Sequence, residues 1–150
     1  MLLPGFRIDA LFDLLEKVRE KTEIPLVFLT YANPIFTYGR EAFFTRCAKA
    51  SIDGVIVPDV PFEERATLLP FAREKGIALI SLIAPTSHER VQMLAREAEG
   101  YIYLVSSMGV TGVREKITTD LKEIVEKIRE VSNQPVAVGF GITRPEQAAQ

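Results

Sequence analysis

Apolar residues along this chain follow two alternating patterns. Short runs rich in β-branched and aromatic residues occupy 24–30, 54–58, 77–83, 101–106 and 135–140. Between them, apolar positions recur at helical spacing. The runs return about every 25 to 35 residues, which is the rhythm of strand and helix in a parallel sheet. They are almost continuously apolar, so the expected strands are covered on both faces.

The intervening segments carry helix boundaries. Leu11, Phe12, Leu14, Leu15 and Val18 make an apolar stripe, leaving Glu16, Lys17, Arg19, Glu20 and Lys21 for solvent. Thr118, Thr119 and Asp120 precede an apolar spacing over 121–128, so one of them is expected as an N-cap rather than a catalyst. His88, between Ser87 and Glu89, opens another helix with its ring in water. Cys47 belongs to a helix over 41–50 and packs as a small hydrophobe.

Five strands with helices between them suit an open doubly wound sheet or part of a closed barrel. The chain opens on a helix pattern with no strand before it and stops at 143–150, where a helix has just begun. A helix face left uncovered is unfavourable. The expected fold is therefore α/β, a partial (β/α)8 TIM barrel of about five parallel strands with flanking helices. It would form one domain over 1–150, lacking strands on both sides. Its open edges predict self-association of the isolated chain.

Composition narrows the chemistry. With 150 residues and 47% hydrophobic content, one globular domain can bury a core. No apolar run approaches the roughly 20 residues of a spanning helix, and the first residues lack a signal-peptide pattern. A cytoplasmic protein with no membrane partner is the expectation. One cysteine and one histidine exclude an internal disulfide and a zinc site built on cysteines. A net charge of −2 with no basic patch argues against nucleic acid.

In parallel α/β folds, ligands meet the loops that follow the strands. Tyr31-Ala32-Asn33-Pro34 puts an aromatic hydroxyl and an amide on that rim, although Asn-Pro also initiates turns. Asp59 stands between Pro58 and Pro61, where a fixed carboxylate suits acid/base work, a loop cap or a docking surface. Structure or docking is favoured over catalysis there, and Glu63 and Glu64 suit the start of the next helix. Ser106-Ser107-Met108-Gly109-Val110-Thr111-Gly112 and Gly139-Phe140-Gly141 are glycine-containing loops on successive strands. Their backbone N–H groups could cradle a phosphate, or the glycines could simply mark turns.

At these loops the sequence resembles the tryptophan synthase alpha subunit family. The matching stretches are Tyr31-Ala32-Asn33-Pro34, Ile56-Val57-Pro58-Asp59-Val60-Pro61-Phe62-Glu63-Glu64, Ala84-Pro85-Thr86, the segment 100–112, and Gly139-Phe140-Gly141-Ile142 with Pro145-Glu146-Gln147. The resemblance implies a (β/α)8 lyase of tryptophan biosynthesis that splits indole-3-glycerol phosphate into indole and glyceraldehyde 3-phosphate. No cofactor is implied, and the partner is a beta subunit in an alpha2beta2 complex. Gly112 and Gly141 would bind the substrate phosphate. Thr111 would order the site, while Leu29, Ile56, Leu82, Tyr103 and Phe140 would line the indole pocket. Tyr31, Asn33, Asp59 and Pro61 would face the beta subunit. The family's glutamate and aspartate acid/base pair comes from strands ahead of the first strand here, so no catalytic residue is assigned and the isolated chain is expected to be inactive. Two alternatives stand beside this reading: a non-catalytic phosphate-binding or docking module, and another phosphate-binding TIM-barrel enzyme.

Overall fold

The computed structural model describes residues 7–85, 87–105, 115–139 and 145, with 115–120 as backbone only. The chain divides into two compact units, Met1–Leu79 and Ile80–Gln150. In the first, α1 (Ile8–Arg19), β1 (Val27–Leu29), α2 (Ala32–Tyr38), α3 (Arg40–Lys49), β2 (Gly54–Ile56), a 3₁₀ helix (Phe62–Thr67), α4 (Leu69–Glu74) and β3 (Ala78–Leu79) follow in order. The sheet is parallel in the order β1-β2-β3, with Phe28 opposite Val55 and Val55 opposite Leu79.

Side chains alternate along a strand, so this register puts Phe28, Val55 and Leu79 on one face. All three pack into a cluster with Phe12, Phe43, Cys47, Leu68 and Ala72. The Phe12 ring meets Phe28 edge-on at 5.5 Å and Phe43 at 5.8 Å, and Phe43 meets Phe44 at 5.3 Å. Such pairs contribute about 0.5–1.5 kcal/mol each beyond simple burial. Gly39 joins α2 directly to α3 at φ +92°, a conformation that strains any residue with a side chain.

The buried stripe of α1 is narrower than its sequence suggests. Phe12 is fully buried, whereas Leu14, turned about 200° from it, is 55% exposed. Glu16 and Arg19, expected in solvent, lie one and two turns past Phe12 on its side of the helix. Glu16 pairs with Arg46 at 3.3 Å and Lys49 at 3.4 Å, both on α3. Arg19 donates to the carbonyls of Ile24 (2.8 Å) and Ser51 and to the Asp53 carboxylate (3.0 Å). Asp53 in turn accepts the Leu26 N–H at 2.7 Å. The end of α1 and the approaches to β1 and β2 are thereby tied together by residues distant in sequence.

The second unit holds β4 (Ser81–Ile83), α5 (His88–Arg96), β5 (Ile102–Val105), α6 (Glu115–Arg129) and β6 (Val136–Gly139). These strands are parallel in the order β4-β5-β6. Ile83, Ile102, Leu104, Val91, Ala95 and Ile128 are fully buried. His88 begins α5 as expected and is half exposed, but its Nε2 lies 3.1 Å from Glu123 of α6. Gln92 of α5 donates to Glu130 just beyond α6 at 2.7 Å, extending the same seam.

Three expectations about elements change. The apolar run 77–83 carries two short strands, β3 and β4, in different sheets; its one polar residue, Ser81, is buried and opens β4, and a single small polar residue does not announce a change of pairing. The helix expected over 121–128 begins at Glu115, so Thr118, Thr119 and Asp120 are interior rather than caps. Ile117 continues the spacing of Leu121, Ile124 and Ile128 upstream, and such a face outweighs a weak preference of threonine for helix ends. Finally, among the described strands only β2 is buried at every position. Strands β1 and β6, each at an edge of its own sheet, leave Val27, Leu29 and Val138 exposed.

Two measurements check this packing. Phe12→Ala is expected to destabilise the chain by about 3–5 kcal/mol, and Leu14→Ala by no more than about 0.5 kcal/mol, in urea titrations followed by circular dichroism. Equal effects would contradict the narrow stripe. Burial pushes the Cys47 thiol from 9.0 up to about 12. An unfolded thiol ionises first, so the folded state loses stability as pH rises from 9 towards 12 and is unaffected below that window. Cys47 should react with Ellman's reagent at pH 8 only after unfolding; rapid labelling of the native chain would show it accessible.

Candidate functional site

The candidate pocket residues of the strands form rows set by the ladders. In the first sheet Leu29 pairs in register with Ile56. Both lie on the face opposite Phe28 and Val55, away from the aromatic cluster. Ile56 is buried and Leu29 is 61% exposed. In the second sheet Leu82, Tyr103 and Ala137 share a row, and Leu82 and Tyr103 are half-buried. The structure therefore brings together Leu29 with Ile56, and Leu82 with Tyr103, within their own sheets.

Gly139 is the position sequence reasoning passed over. The sequence marks it only as part of a glycine-containing loop, yet it lies on the Tyr103 side of β6. A Cβ built there would overlap the Tyr103 hydroxyl and ring carbons. The phenol thus occupies the volume that any larger residue at 139 would need. A glycine at the end of an apolar strand is the only signal in the sequence, since such glycines mark close approaches. Tyr101, two residues before Tyr103, has its hydroxyl pKa raised, first by burial and then by Tyr103.

The rim residues lie close to one another along two loops. Tyr31 caps α2, with Asn33 and Pro34 in its first turn rather than in a separate turn. Proline fits there because first-turn N–H groups have no helical acceptor. Both carboxylate oxygens of Asp59 accept the Ala32 N–H, at 3.0 and 3.2 Å, so the loop after β2 closes onto the start of α2. Of the roles open to Asp59, the loop cap is the one this geometry contains. Pro61 precedes the 3₁₀ helix, with Glu63 and Glu64 in its first turn. Tyr31, Asn33, Asp59 and Pro61 are all exposed.

Thr111, Gly112, Phe140 and Gly141 lie outside the described residues. Among those described, no three His, Cys, Asp or Glu side chains are grouped to hold a metal ion. No described helix is long and apolar enough to cross a membrane. Away from the strand ends, Arg40 stacks between the rings of Phe36 (5.6 Å) and Phe71 (5.0 Å) and donates to the Thr67 carbonyl at 3.1 Å.

Comparison with known proteins places these features. A family model described as tryptophan synthase alpha chain matches residues 2–150. The tryptophan synthase alpha chain of Lacticaseibacillus casei is 46% identical over 142 residues, covering 95% of this chain and 53% of that protein. That of Lactiplantibacillus plantarum is 52% identical over 138 residues, covering 91% and 52%. This chain thus spans about half the length of the curated relatives it matches. Among solved structures, the tryptophan synthase subunit alpha of Campylobacter jejuni is similar with a TM-score of 0.88 and 39% identity, over 97% of this chain and 58% of that one. The tryptophan synthase a2b2 complex of Pyrococcus furiosus is similar with a TM-score of 0.85 and 32% identity, over 97% and 59%. The expected partial TIM barrel agrees with these neighbours, and the chain belongs to the tryptophan synthase alpha chain family.

Proposed function

We propose that this chain serves the alpha reaction of tryptophan synthase: retro-aldol cleavage of indole-3-glycerol phosphate to indole and glyceraldehyde 3-phosphate. The observation that supports this reading is the pair of apolar rows, Leu29 with Ile56 at the carboxyl ends of β1 and β2 and Leu82 with Tyr103 within β4 and β5, in a chain of this family. In the proposal these side chains and Phe140 form the wall for the indole ring. Thr111 orders the loop beside them, and the N–H groups of Gly112 and Gly141 hold the phosphate. No cofactor takes part. Cleavage requires a proton taken from the glycerol hydroxyl and one delivered to the indole carbon as the carbon–carbon bond breaks. We assign both transfers to a glutamate and an aspartate outside these residues, so the chain binds and orients but does not turn over alone.

The rim of Tyr31, Asn33, Asp59 and Pro61 would then dock a beta subunit; the Pyrococcus furiosus relative is an a2b2 complex. The Asp59 tie to Ala32 supports this by holding the two rim loops in one arrangement.

The experiment is indole release from indole-3-glycerol phosphate. It would be measured for the chain alone and for a chimaera in which the chain replaces the matching segment of the Campylobacter jejuni alpha subunit. The chimaera should release indole and the chain alone should not; a well-folded chimaera without activity would overturn the proposal. In that chimaera Gly139→Ala should displace the Tyr103 ring and lower kcat/KM by about 10²-fold, with a changed tyrosine signal in the near-ultraviolet circular dichroism. An unaltered kcat/KM would separate Tyr103 from the indole wall. For docking, Asp59→Asn keeps an acceptor for the Ala32 N–H and Asp59→Ala does not. Both should weaken binding of a beta subunit in calorimetric titration, and only the alanine variant should lose about 1 kcal/mol of stability. Wild-type affinity in both would take Asp59 off the docking face.

A further inference from the structure

We draw no further inference here: the strongest candidate, the open hollow of about 540 Å³ at the junction of α2, α3 and α4 that Phe36, Arg40 and Phe71 line, has nothing in the structure to show what covers it.

Discussion

Pairing Phe28 with Val55 and Val55 with Leu79 decides which side chains of the first sheet enter its core and which are left for other work. Strand side chains alternate strictly, so a slip of one residue would turn Leu29 towards the aromatic cluster and Phe28 away from it. Two features hold the register. Phe12, Phe43 and Cys47 accept only the Phe28 face, and the Arg19–Asp53–Leu26 chain of hydrogen bonds pins the lower ends of β1 and β2. The apolar row at the strand ends is a consequence of packing on the opposite face. In the second sheet the fully buried Ile102 and Leu104 set the face of Tyr103 in the same way.

The upper ends of the strands show how a surface residue takes part in positioning. Asp59 is exposed, and its carboxylate still closes the loop after β2 onto the first N–H of α2, a helix 27 residues earlier in the chain. A charged acceptor at that place satisfies a donor that the helix cannot satisfy itself. Tyr103 and Gly139 illustrate the complementary case, in which a missing side chain on one strand makes room for a large one on its neighbour. The first relation depends on one hydrogen-bonding group, the second on space alone.

Much of the architecture was legible in the chain. All five apolar runs contain strands, and the helix bearing Cys47 and the start of α5 at His88 lie where the spacing puts them. Less legible were positions whose role is set by a distant partner. Arg19 and Glu16 look like solvated helix charges until Ser51, Asp53, Arg46 and Lys49 are brought beside them. The division of run 77–83 between two sheets was equally hidden, as was the exposure of Val27, Leu29 and Val138 on β1 and β6.

The sequence by itself determined the order of strands and helices, the apolar content of the strand ends and the family signature of the loops, because periodicity and turn chemistry are local properties. Only the tertiary structure decided which rows those residues share, that Asp59 binds the start of α2, and that Tyr103 fills the space over Gly139. Register and close approach depend on residues about 21 to 36 positions apart, and no local pattern along the chain encodes a distance between such partners.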